Sequence, residues 1–180
     1  MREQAAETTS KGEVYMAGME LRPDFQKDNY IHPKAAWDKL RAAGARRQNV
    51  YIYAATGYGK TEMLHRYLRR RRHIWLSGEG LTAQTLQEML LPENGILVID
   101  DLARVLDPAA RQEILALLEQ GSVWVVMASR CPLPSWLTRP YINGHLSVIP
   151  EEDLRLSGDD IAQLYLSWGV QLPRKLLEKR

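Results

Sequence analysis

The chain has 180 residues, a formal net charge of +2, and hydrophobic and charged shares of 45% and 26%, the profile of one ordinary globular domain with room for a short appendage. So small a charge does not by itself point to a nucleic-acid surface, and the single cysteine, Cys131, excludes an internal disulfide framework. The polar, acidic start is no signal peptide, and no uninterrupted apolar stretch approaches the ~20 residues a bilayer requires, so the expectation is a soluble, cytoplasmic protein without a membrane partner.

In chain order, residues 1–20 are mostly polar and are expected as a flexible tail, with the ordered domain over 21–168. Residues 35–43 read as a helix, because Ala36, Leu40 and Ala43 share a face and Gly44 stands where it would stop. Residues 49–54 are β-branched and aromatic and predict a strand. From Thr61 to about residue 70, Met63, Leu64, Tyr67 and Leu68 follow helical spacing. A short strand is expected at 74–76. A helix capped by Thr82 follows, and Pro92 stops it. Residues 96–99 are wholly apolar, as a strand buried on both faces should be. Pro108 opens a helix that Gly121 closes. Residues 123–127 form another apolar strand, a weaker one spans 146–149, and Ser157 caps a last helix to about Trp168. Residues 169–180 read as the start of a truncated helical segment. Strands alternating with helices, several continuously apolar, predict an α/β fold: a mostly parallel five-stranded sheet covered on both faces in three layers.

Between the first strand and the next helix lie Thr56, Gly57, Tyr58, Gly59, Lys60 and Thr61. Backbone N–H groups that converge on phosphate oxygens need glycines to wrap closely, and the helix N-terminus adds partial positive charge. Lys60 is placed to reach β- and γ-phosphates, and the Thr61 hydroxyl to ligate Mg²⁺. The full G-x-x-x-x-G-K-[ST] pattern asks for glycine where this chain has Ala54, at a strand end where a methyl can fit. The strand at 96–99 runs into Asp100 and Asp101. Asp100 is the candidate for the Mg²⁺ shell, partly through water and opposite Thr61, and Asp101 for orienting an attacking water. A further apolar strand ends at Ser129 and Arg130, candidates for sensing the γ-phosphate through charge-assisted bonds that a diphosphate cannot supply. The expected fold is therefore a P-loop NTPase of the type with an additional strand between the phosphate-loop strand and the acidic strand. The expected ligands are ATP or ADP with Mg²⁺, and the candidate catalytic residues are Lys60, Asp101 and Arg130.

The remaining features have plainer readings. Arg69 to Arg72 sit at a helix C-terminus, where cations complement the helix dipole. His32, His65, His73 and His145 show no metal-ligand spacing with each other or with Cys131. Trp75, Trp124 and Trp136 read as core or rim.

Taken together, Leu21-Arg22-Pro23, the loop 57–61, residues 97–102, residues 128–134 (Ala128 to Pro134) and residues 153–157 heading a helix resemble the nucleotide-binding domain of the large LuxR-type transcriptional regulators of the maltose-regulon activator kind. These belong to the STAND class of signal-transducing ATPases. The resemblance covers roughly residues 21–168. It implies a switch in which ATP favours an active, self-associating form, ADP a resting form, and hydrolysis is slow; residues 29–33 would lie near the adenine. Such regulators continue into a sensor and a C-terminal helix-turn-helix, so this chain, whether fragment or stand-alone relative, is expected to bind no DNA specifically. Rival readings from other classes are a P-loop small-molecule kinase and an AAA-type ATPase or helicase loader.

Overall fold

The computed structural model describes residues 15–16, 30–89 and 94–171. Five strands, β2 (Asn49–Tyr53), β3 (Ile74–Ser77), β4 (Ile96–Asp100), β5 (Trp124–Ser129) and β6 (Leu146–Ile149), run parallel in the order β3-β4-β5-β2-β6. Within the segment expected as a tail, Tyr15–Met16 forms a short strand β1 antiparallel to β3 at the sheet edge. The rest of 1–29 lies outside the described residues. So do 90–93 and 172–180, which carry the end of the helix expected over 82–91 and most of the expected C-terminal segment.

The apolar runs of β2, β4 and β5 are continuous because these central strands are buried on both sides. On one side, α1 (Lys34–Arg46) and α2 (Lys60–Leu68) pack Ala36, Leu40, Met63 and Leu64 against Val50, Ile52, Val98 and Val126. On the other, α3 (Ala83–Glu88) and α4 (Pro108–Gln120) pack Leu86, Ile114 and Leu118 against Tyr51, Leu97, Ile99 and Met127. Alternate strand residues thus feed two cores, which gives the three layers expected. Beyond them lie α5 (Thr138–Ile142) and α6 (Gly158–Ser167). The α6 helix starts with a reciprocal capping box between Ser157 and Asp160, as its Ser-x-x-acid signature allows. The α5 helix has five residues and a proline, too short for a periodicity to register.

Gly44 does not end the first helix. The helix runs on to Arg46 and closes with Arg47 in the left-handed region (φ 52°). Gly44 is there for proximity: a Cβ on it would lie 2.4 Å from the Tyr67 hydroxyl and 3.0 Å from the Trp124 ring. In the same way α2 stops at Leu68, short of the arginines.

One buried polar side chain ties the sheet at the end where its parallel strands begin. The Asn49 amide donates to the carbonyls of Leu118 (3.2 Å) and His145 (3.0 Å) and accepts from the N–H of Val125 (2.9 Å). It therefore links β2 to α4, to the approach of β6 and to β5, with its hydrogen bonds used.

The Tyr67 hydroxyl, pressed under Gly44, is a buried polar atom without a hydrogen-bond partner among the described residues. Such a group costs about 1–3 kcal/mol in desolvation. Tyr67→Phe is therefore expected to stabilise the fold by about 1 kcal/mol, read as a higher urea midpoint at unchanged slope; a lower midpoint would show that the hydroxyl finds a partner.

Candidate functional site

The loop after β2 turns through Gly57 (φ 92°) and Gly59 (φ 73°), conformations that a side-chain-bearing residue adopts only with strain. A Cβ at either would meet nothing within 4 Å, so the glycines serve backbone shape and leave open space in the loop. Helix α2 begins at Lys60 with no side chain capping its first turn. Its first N–H groups thus face the loop, the arrangement that suits an anion. Ala54 is buried against Ile52 and Ala128 in the core; its methyl is accommodated where the motif would have glycine.

Lys60 is 9% exposed. Its Nζ donates to the carbonyls of Ala54 (2.7 Å) and Ala55 (2.9 Å). Burial pushes the ammonium below its usual pKa, and the nearby Asp100 opposes that shift. The lysine therefore holds a charge in a partly dehydrated place, where a phosphate oxygen would interact with it strongly.

The carboxyl ends of β4, β5 and β2 lie side by side, so residues far apart in sequence meet. The Thr61 hydroxyl donates to Asp100 Oδ2 at 2.9 Å, and the other Asp100 oxygen accepts from the Asp101 N–H at 2.8 Å. One hydroxyl and one carboxylate at the mouth of a phosphate-sized loop fit Mg²⁺, which is commonly held by one or two protein oxygens, waters and substrate phosphates. Asp101 has φ 54°, a left-handed conformation that aspartate tolerates better than most residues. Its carboxylate accepts from Arg130 (3.0 Å) and lies 3.2 Å from Arg104, which also pairs with Glu79. The two residues expected to act separately, as water-orienting carboxylate and phosphate sensor, are thus partners. Asp101 is approached closely by Gly78, where a Cβ would lie 2.4 Å from the Asp101 carbonyl oxygen; the Gly78 N–H donates to the Asp100 carbonyl at 2.7 Å.

Ser129 differs from the expectation. It is buried, and its hydroxyl accepts from the Cys131 N–H at 3.1 Å, closing the turn after β5. Tyr51, on the core face opposite α2, donates to the Cys131 carbonyl at 2.7 Å and braces the same turn. In this arrangement Ser129 shapes the strand end, and Arg130, paired with Asp101 but 55% exposed, is the group that reaches outward.

Sequence reasoning missed Glu151. It lies in the single 3-10 turn after β6 (Glu151–Leu154) and reaches across to the phosphate loop. Its carboxylate accepts from the Ala55 N–H (3.1 Å) and the Tyr58 hydroxyl (3.0 Å), with Arg155 at 3.4 Å. The Ala55 N–H first, then the Tyr58 hydroxyl, hold its carboxyl below the usual glutamate range. The tyrosine inside the loop was the available signal, since its hydroxyl needs a partner. Of the residues ahead of α1, Tyr30 has Arg66 over its ring at 4.3 Å, and His32 lies against Trp37 at 4.5 Å. Burial pushes the Tyr30 hydroxyl up to about 12.

No protein-family model matches the chain, and no curated protein is matched. Among solved structures, the chain is similar to a Walker-type ATPase of Pyrococcus abyssi, with 9% identity and a TM-score of 0.55 over 88% of this chain and 65% of that one. It is also similar to a chain in a structure of Drosophila ORC bound to DNA, with 14% identity and a TM-score of 0.50 over 66% of this chain and 89% of that one. Together with the strand order, these likenesses define the fold as that of a P-loop NTPase. It is the type in which an extra strand, here β5, separates the phosphate-loop strand β2 from the acidic strand β4.

The Glu151 clasp has a pH signature. Because its folded-state pKa is depressed, the stabilisation is fully present above the usual value of 4.5 and is lost as the pH falls through the lower folded-state value. Acid titration followed by tryptophan fluorescence is expected to show this loss in the wild type and a flatter profile in Glu151→Gln; identical profiles would mean that the clasp contributes nothing.

Proposed function

We propose that this chain is an ATP/ADP-binding switch domain with weak Mg²⁺-dependent ATPase activity, of the kind found in LuxR-type STAND transcriptional regulators. The observation that carries the nucleotide-binding part is the contact between Thr61 and Asp100 (2.9 Å) beside a buried Lys60 on the loop carbonyls. In this reading the N–H groups from Thr56 to Thr61 cradle the phosphates. Lys60 leaves the carbonyls of Ala54 and Ala55 for β- and γ-phosphate oxygens. Thr61 and Asp100 hold Mg²⁺, which when bound supplies neutralising charge between the phosphates.

The switch is the pair of Arg130 and Asp101. Their ion pair is partly exposed, with side-chain exposures of 55% and 20%, so it is worth only about 0–1 kcal/mol. A γ-phosphate, carrying more charge than a single carboxylate, competes for the guanidinium. When Arg130 moves to the phosphate, Asp101 keeps Arg104 as its one remaining cation among the described residues and accepts a proton from the water whose oxygen attacks the γ-phosphorus, as the bond to the β-phosphate oxygen breaks. ADP offers Arg130 no such partner, and the pair re-forms. Turnover resets the conformation, and the full-length protein self-associates in the ATP form. Helices long and apolar enough to cross a membrane are absent among the described residues. The LuxR-type assignment rests on the sequence resemblance over residues 21–168.

The likeness to the Drosophila ORC chain favours one alternative, an AAA-type ATPase working in a ring. ATP-dependent rings in solution with DNA-stimulated turnover would select it over the switch.

Calorimetric titration with ADP and Mg²⁺ is expected to show binding that Lys60→Ala weakens at least tenfold, or about 1.4 kcal/mol; equal affinities would remove Lys60 from its role. Arg130→Ala is expected to keep ADP affinity while losing any preference for a non-hydrolysable ATP analogue. An unchanged ratio of the two affinities would defeat the sensor.

A further inference from the structure

At the end of the sheet opposite the phosphate loop, arginines from separate elements converge. Arg46 and Arg47 come from the C-terminus of α1, and Arg71 and Arg72 from the turn after α2. Arg47, Arg71 and Arg72, with Asn94 and the edge of Trp124, line a depression of about 390 Å³. Arg46 and Arg47, with Gln48, Glu119 and His145, line a second of about 520 Å³. Arg47 belongs to both, so the two form one continuous cationic floor.

The floor is built, not merely crowded. Arg47 and Asn94 both take positive φ (52° and 61°), and the Arg47 guanidinium donates to the carbonyls of Asn94 (3.0 Å) and Gly95 (3.2 Å). Those bonds fix its position without neutralising its charge. Arg71 is held over the Tyr67 ring at 4.8 Å, again by a neutral partner. Among the described residues none of Arg46, Arg47, Arg71 and Arg72 has a carboxylate within ion-pair distance, and Arg70 extends the same run. Among the described residues, Glu119, exposed at the far rim, is the acidic side chain that lines the floor. Unneutralised charge concentrated in a protein whose net charge is only +2 marks a local field, which the overall composition conceals.

The lining decides the class of partner. Among the described residues no exposed large apolar side chain lines either depression; Ile96, Leu118 and Trp124 are buried. Protein partners are usually gripped by aromatic or aliphatic anchors, whereas a phosphodiester chain is gripped by guanidinium forks at successive phosphates. We infer that this floor binds the phosphate backbone of nucleic acid without reading its bases. The inference does not depend on the nucleotide site, which lies at the other end of the strands.

The test uses fluorescence anisotropy with short labelled DNA duplexes and single strands of two unrelated sequences. The wild type is expected to bind both sequences equally, with affinity falling steeply as salt rises. Arg71→Ala/Arg72→Ala should weaken binding at least tenfold and reduce the salt slope by about 2. Arg41→Ala/Arg139→Ala, the same charge change at residues that line neither depression, should lose much less. ADP affinity and the melting temperature should be unchanged in both, and if the first double variant proves unstable, Arg72→Ala alone, at an exposed position, carries the reading. Absent wild-type binding, equal losses in both double variants, or competition by poly-glutamate as strong as by unlabelled DNA would each overturn the inference.

Discussion

The site depends on the adjacency of β4, β5 and β2. Three parallel strands end at the same level, and at that level their side chains change from fully buried hydrocarbon to acid, base and hydroxyl. Packing on both faces leaves no freedom for the strands to slide without exposing apolar surface. The burial of Val98, Val126 and Ile52 therefore helps set the 2.9 Å contact between Thr61 and Asp100. The chemistry sits on a rigid frame, while the groups proposed to move, Lys60 and Arg130, are long side chains that travel without disturbing it.

Much of this was legible in the sequence because the signals were local. The loop 56–61 announces itself through glycine spacing followed by Lys-Thr, and the acidic strand through four apolar residues running into Asp100. The insertion of β5 between β4 and β2 followed from the order of apolar strands, since parallel strands with helical crossovers admit few arrangements. The family resemblance was built on the same segments; the structural likenesses, at 9% and 14% identity, speak to the fold.

What escaped was whatever depends on distance in sequence. Glu151 stands among the acids of a 3-10 turn, with nothing nearby to mark it as the residue that clasps Ala55 and Tyr58. Asp101 was read as orienting a water and Arg130 as sensing a phosphate, and only their strand ends reveal that they face each other. Ser129 and Gly44 were read by residue type, one as a ready hydrogen-bonding group and the other as a helix stop. The fold uses the first to close a turn and the second to let Tyr67 and Trp124 approach the helix. For Gly44 a tertiary contact decided a role that local propensity left open.

The Asn49 amide acts at a distance from anything chemical, yet it calibrates the far end of its strand. β2 is only five residues long, and a run of alternating valine, isoleucine and tyrosine could pair with its neighbours one step out of phase. Such a slip would strand the amide without its three backbone partners, a penalty added to that of misplacing the hydrocarbon side chains. By rejecting the misaligned pairing at the strand's beginning, one polar group sets where the strand finishes, and hence the height at which the glycine loop leaves the sheet.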